Sequence, residues 1–262
     1  MVINFLQKIF AWIYINLNIR LELSSVKQES KNRKNSLNLN VGAGSYHING
    51  FISLDIQTDH YKKRQNKPFK KYDIRSDVMP FKDNSVDNIY VSHVLEHIEK
   101  EHIQTFFREA ARVLKKGGVL RICVPDGKFL YQVSMINKSN YWSWRNINQN
   151  DEDSLFQAFI REVISSLENL STDDPKLFNK LKNMKYDELR DFLINLDIKF
   201  DYKKPGNHIH FFDESILREY GSKVGLSNFI VSKKNGSVSN LMTGADMDLK
   251  HPRMTLYGEF IK

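Results

Sequence analysis

His93, Glu96 and His97 stand at i, i+3 and i+4, a spacing that puts side chains on one face of a helix. Histidine titrates near neutral pH and can take a proton from a hydroxyl. The same trio offers two nitrogens and a carboxylate to a metal ion, or an ordinary packed and hydrogen-bonded helix face. The sequence alone assigns no metal. Upstream, Gly42-Ala43-Gly44 breaks the alternating run Leu37-Asn-Leu-Asn-Val41. A glycine turn after a strand lets the backbone approach a nucleotide-like ligand without a side-chain clash. Asp55 ends the next apolar run, where a carboxylate can accept from both ribose hydroxyls or simply cap a loop. No third glycine completes the dinucleotide fingerprint, which favours a cofactor lacking a pyrophosphate over NAD. His208 and His210 flank Ile209 ahead of Phe211-Phe212-Asp213, where they can shape the entry to the next helix. Tyr141, Trp142 and Trp144 offer flat faces to a sugar or aromatic acceptor, or fill a core.

The elements that must position these residues follow from periodicity. Strands are expected at 37–41, 51–55 and 86–91, and Tyr72-Asp73-Ile74 reads as a short third strand or a strand end. Ile103, Phe106, Phe107, Ala110, Ala111 and Leu114 recur at helical spacing, and Lys115-Lys116-Gly117-Gly118 reads as a basic last turn with a glycine stop. The apolar run 119–124 reads as a central strand of a sheet covered on both faces. Residues 127–206 show helical patterns at 155–170 and 186–196, broken at Asp173-Asp174-Pro175, and predict a helical insertion. A helix over 213–224, closed by Gly225, and strands at 229–232 and 254–261 complete the pattern. Alternating strands and helices predict an α/β, doubly wound, mostly parallel sheet in one domain over 37–262. Only nine residues, 42–50, separate the first two strands, whereas a parallel crossover takes about a dozen or more. The first crossover helix must be missing or reduced to a turn, leaving one sheet face short of cover.

Taken in order, Leu37-Asn-Leu-Asn-Val-Gly-Ala-Gly-Ser45, Leu54-Asp55, Tyr72-Asp73-Ile74, the stretch from Pro80 to His97 and the stretch from Val113 to Asp126 resemble the class I methyltransferases. The likeness is greatest to bacterial enzymes associated with surface-polysaccharide synthesis. It covers about residues 37–126, with a weaker echo over 207–262. It implies a Rossmann-like fold and S-adenosyl-L-methionine as cofactor. Gly42, Ala43 and Gly44 would then face the methionine part, Asp55 the ribose, and Asp73 with the Ile74 backbone the adenine. Ser92 and His93 would border the methyl-transfer site. Asp73 is equally readable as a strand terminator. Transfer from a sulfonium is an in-line displacement, so the protein supplies alignment and, for a hydroxyl acceptor, a base. His93 and His97 are the candidates for that base.

The leading reading is O-methylation of a sugar or glycan precursor for cell-surface polysaccharide, with the insertion as a lid over a small-molecule or glycan acceptor. An RNA methyltransferase and a non-catalytic assembly partner of the same fold are the alternatives. The net charge of +8 is what favours RNA; the basic residues are scattered through linkers and turns without an aromatic–basic recognition motif, which argues against nucleic acid. A single cysteine, Cys123, excludes an intrachain disulfide, and the expected setting is cytoplasmic. Residues 1–18 read as an amphipathic helix with a wide apolar face and 24–36 as a polar linker. That helix is expected to lie on the inner face of a membrane, in peripheral contact, or to pack on the domain.

Overall fold

The computed structural model describes residues 36–56, 68–136, 140–244 and 246–262. The amphipathic helix and linker expected over 1–36 fall almost wholly outside the described residues. Seven strands form one sheet: β1 (Asn38–Val41), β2 (Ile52–Asp55), β3 (Lys70–Lys71), β4 (Val86–Ser92), β5 (Leu114–Pro125), β6 (Asn228–Val231) and β7 (Thr255–Ile261). Their order is β3-β2-β1-β4-β5-β7-β6. The first five are parallel, and β7 runs antiparallel between β5 and β6. The order runs outward in both directions from the β1–β4 pair, as in a doubly wound, Rossmann-like sheet.

Side-chain alternation sorts the strands into two unlike faces. Leu39, Val41, Ile89, Val91, Leu120, Ile122 and Phe260 join one large core. The helix α1 (Lys100–Val113) contributes Ile103, Phe106, Phe107 and Ala110 to it. Each of the larger side chains taken from water, the isoleucine and the two phenylalanines, stabilises the fold by about 1.5–3 kcal/mol. The segment after β5 is helical among its described residues: α2 (Gly127–Tyr131), α3 (Glu152–Val163), α4 (Leu170–Asp173), α5 (Pro175–Lys182) and α6 (Tyr186–Ile194), with a π-helical turn at Gln132–Ile136 and 3-10 turns at Asn140–Arg145 and Ser165–Leu167. Helix α7 (Glu214–Ser222), N-capped by the Asp213 carboxylate on the Ile216 N–H, then returns to the sheet.

The other face has no long helix among the described residues. β1 reaches β2 through turns alone, as the short spacing requires. Ile48 from that crossover meets Tyr90, Val119, Cys123 and Tyr257 from the sheet, with Met242 and Met247 from the long excursion between β6 and β7. A polar lock holds the excursion in place. Arg121, fully buried on β5, binds Asp248 Oδ2 at 2.6 Å and Glu259 Oε1 at 2.8 Å. Asp248 also accepts from the Asn235 N–H at 2.7 Å and from the Tyr90 hydroxyl at 3.2 Å. The apolar run 119–124 thus carries a charge on its second face, opposite Glu259 in register.

Three sequence expectations shift. Helix α1 stops at Val113, and Lys115–Gly118 belong to β5 rather than to a helix end. Leu114 pairs with Val86, Gly117 donates to Lys262 O at 2.7 Å, and Lys115 Nζ meets Asp87 Oδ1 at 2.7 Å, so partners on both sides recruit the segment to the sheet. The third strand is Lys70–Lys71, ahead of Tyr72-Asp73-Ile74. Asp73 O accepts from the Ser76 and Asp77 N–H groups and turns the chain there. Asp174-Pro175 starts a helix as well as breaking one: the Asp174 carboxylate caps the Leu177 N–H, and Pro175 occupies the first helical turn. Among the described residues no helix is long and apolar enough to cross a membrane.

Candidate active site

In an open α/β sheet, ligands bind beyond the carboxyl ends of the strands where the strand order reverses. Here that point lies between β1 and β4, and a cavity opens there, lined by Gly42, Gly44, Asp55, Asp73, Ile74, His93 and His97. The turns after β1 and β4 meet tip to tip. Gly42 has φ 66°, and a Cβ on it would lie 2.3 Å from Val94 Cγ2. Only glycine fits. The Asp55 carboxylate accepts from the Gly44 and Ile56 N–H groups, so it shapes the glycine turn and also faces the cavity. The loop-capping reading of Asp55 is met, and its carboxylate also lines the cavity. Ala43 and Ser92 are buried behind the wall and do not line the cavity.

At the far end Asp73 grips Arg75 with both oxygens, Oδ1 to Nε and Oδ2 to Nη2, each at 2.9 Å. Burial pushes the Asp73 carboxyl up, but the Arg75 hydrogen bonds and charge hold it below its ordinary value. Phe200, from the chain after α6, covers the Arg75 guanidinium at 4.1 Å and closes this end. Lys250 of the excursion brings an ammonium into the cavity wall, its pKa lowered by burial. Arg75, Phe200 and Lys250 escaped the sequence reading because they lie in irregular segments, where no periodicity aims a side chain.

His93 has φ 52°, a conformation uncommon outside glycine and concentrated at functional sites. The helix expected over 93–97 is a single 3-10 turn, Leu95–His97, entered through this bend. The bend still brings His93 Nδ1 within 2.9 Å of Glu96 Oε1. Burial alone would raise the Glu96 carboxyl, but His93, with His97 and His208 nearby, holds it at about 2. An ionised carboxylate only accepts, so the network assigns a proton to His93 Nδ1. His93 Nε2 lies 2.9 Å from Thr255 Oγ1, which lies 2.7 Å from His251 O, so the single hydroxyl proton serves one or the other.

The remaining candidates divide. His97 Nδ1 donates to Asn207 O at 2.9 Å and His208 Nδ1 to Glu162 O at 2.7 Å, with the two rings 4.9 Å apart. His210 does not join them. It is buried beside Tyr220, whose hydroxyl lies 3.1 Å from Nε2, and burial lowers its pKa to about 4. Trp142 is core, fully buried with Nε1 donating to Ser134 Oγ at 2.9 Å. Tyr141 and Trp144 line a second cavity together with Phe129, Arg253 and Thr255. Thr255 therefore stands between this second cavity and His93.

Residues 39–122 match a family described as a methyltransferase domain. The chain carries a methyltransferase domain. It is an S-adenosylmethionine-dependent enzyme. Among solved structures, the methyltransferase is similar to an S-adenosylmethionine-dependent methyltransferase from Thermotoga maritima, at 14% identity over 98% of this chain and 93% of that one, TM-score 0.41. A second, from Archaeoglobus fulgidus, is similar at 11% identity over 87% and 86% of the two chains, TM-score 0.43. These distant likenesses are not what assigns the activity; the family match is. No curated protein matches the chain.

The residues present fit the cofactor: a glycine turn with no room for a side chain, a carboxylate at the end of β2, and a second acid after β3. Asp55→Ala is expected to weaken cofactor binding by about 1.5–3 kcal/mol, the scale of hydrogen bonds to a charged group. Calorimetric titration with S-adenosylmethionine checks this, and unchanged affinity would remove Asp55 from the site.

Proposed function

We propose that this methyltransferase acts on a hydroxyl oxygen of a sugar or glycan precursor for cell-surface polysaccharide. The observation that carries the reading is the position of His93, between the cavity of the glycine turn and the aromatic cavity, with Glu96 behind it and Thr255 in front. In this reading Gly42, Gly44, Asp55, Asp73 and Ile74 hold the cofactor, and Lys250 meets its carboxylate. The bound cofactor supplies an electrophilic methyl group on a sulfonium.

The chain's own residues supply alignment and a place for the proton. Tyr141 and Trp144 give the acceptor ring a flat surface, a use to which amphipathic aromatics are suited. The acceptor's hydroxyl proton reaches His93 Nε2 through Thr255 Oγ1, which gives its own proton to Nε2 as it takes the acceptor's. Glu96 stabilises the imidazolium through Nδ1, and Thr255 Oγ1 accepts from the new Nε2–H. His97 keeps its Nδ1 on a backbone carbonyl and is the lesser candidate for the base.

Trp144→Ala tests the acceptor surface. Loss of one aromatic contact, about 0.5–1.5 kcal/mol, raises the acceptor KM roughly 2- to 12-fold and leaves cofactor affinity unchanged. The assay is labelled-methyl transfer to nucleotide-linked and lipid-linked sugar fractions, with total RNA in parallel. Methyl transfer to RNA alone would contradict the reading.

A further inference from the structure

Glu96, His97 and His208 form a cluster that methyl transfer as described leaves partly unexplained. One carboxylate oxygen and one nitrogen from each ring all lie within 4.8 Å of one another. Glu96 is fully buried. Its Oε1 is held by His93 Nδ1, but Oε2 is buried with no hydrogen-bond partner. A buried unpaired carboxylate oxygen is costly, and native proteins rarely leave one without a reason. Both rings are fixed in the same tautomer, because Asn207 O and Glu162 O can only accept and so each Nδ1 carries its proton. Each Nε2 therefore keeps its lone pair. An Nδ1–H anchored on a backbone carbonyl is the outer-shell arrangement that orients a histidine for metal ligation.

We propose that Glu96, His97 and His208 bind a divalent transition-metal ion at the edge of the methyl-transfer cavity. Two imidazoles and one carboxylate suit zinc, iron or cobalt better than magnesium or calcium, which favour all-oxygen shells. Ligands about 2.0–2.2 Å from an ion sit closer together than the present limit, so the side chains close by a small rotation. The three protein ligands leave open positions, and His97 lines the cavity of the glycine turn. A metal there would bind and polarise an acceptor hydroxyl beside His93. Metal binding itself stands on these three side chains and needs neither the sugar reading nor catalysis by His93.

The full chain is stripped with chelator and titrated with Zn²⁺ and Co²⁺, with bound metal measured after dialysis and the Co²⁺ form followed by its visible absorption. One ion per chain is expected, with a rise in melting temperature. Glu96 is fully buried, so its variants report on folding as well as on metal, and the decisive variant is His208→Ala, checked for an unchanged fold by circular dichroism. It is expected to weaken binding by more than the roughly 10- to 100-fold that loss of an outer-shell partner costs, and to abolish the Co²⁺ spectrum. Cofactor affinity is expected to stay at the wild-type value. Absence of stoichiometric binding, or binding that His208→Ala leaves intact, overturns the proposal. Either result leaves the hydroxyl-acceptor reading to be judged by its own assay.

Discussion

His93→Ala is expected to leave S-adenosylmethionine affinity within about twofold and to lower turnover by about 10²–10⁴-fold, the contribution of a positioned general base. The expectation follows from where the ring is held. Glu96 accepts from Nδ1 and the Thr255 hydroxyl lies 2.9 Å from Nε2, so the imidazole is oriented at both nitrogens before any substrate arrives. Orientation of that kind is what makes a proton acceptor effective in a transition state. The left-handed backbone at His93 complicates the alanine variant, because alanine tolerates φ 52° less well. His93→Asn separates the effects, since asparagine accepts that conformation but cannot take the proton. Both variants should lose turnover alike, and added imidazole should restore part of it in His93→Ala. Full activity in His93→Asn would show that no base acts at this position.

The second large effect is on stability. Arg121→Met is expected to destabilise the fold by about 3–5 kcal/mol, the cost of breaking a buried ion pair from one side. Asp248 and Glu259 are both fully shielded and would be left as uncompensated charges. The loss should appear as a lower urea midpoint with an unchanged slope. Adding Glu259→Gln to Arg121→Met should recover part of it, because one unpaired charge is removed. Failure of the second substitution to help would mean that the lost packing of the arginine stem, rather than stranded charge, carries the penalty. The excursion held by this lock also supplies Lys250 and leads into Thr255, so the site should loosen before the sheet does.

These two effects mark where the sequence was legible. Leu39, Val41, Ile89 and Val91 declare their strands by alternation, and the glycine turn and Asp55 announce the cavity because only certain residue types suit those positions. His93 and Glu96 were legible as partners by spacing, although the spacing pointed to a helix and the structure makes a left-handed bend and one 3-10 turn. Arg121 was hidden inside an apolar run. Its signal was the charge in an otherwise apolar strand, matched by Glu259 in Tyr257-Gly-Glu-Phe-Ile261, but pairing them requires knowing that β7 lies antiparallel beside β5. His208 and His210 looked equivalent. In an extended chain residues two apart share a side, so the spacing gave no sign that one meets His97 and the other Tyr220. Lys250 and Thr255 depend on the path of a long irregular segment, which no local pattern encodes.

The most direct test of the account is to identify the atom that receives the methyl group. Wild-type enzyme and His93→Ala are incubated with S-adenosylmethionine carrying an isotope-labelled methyl carbon and with the sugar-precursor fraction, and the products are read by nuclear magnetic resonance. The account predicts one new O-methyl signal correlated with a sugar-ring carbon in the wild-type reaction and its near loss in the variant. A labelled methyl on nitrogen, carbon or RNA, or an equal O-methyl signal from the variant, would contradict it.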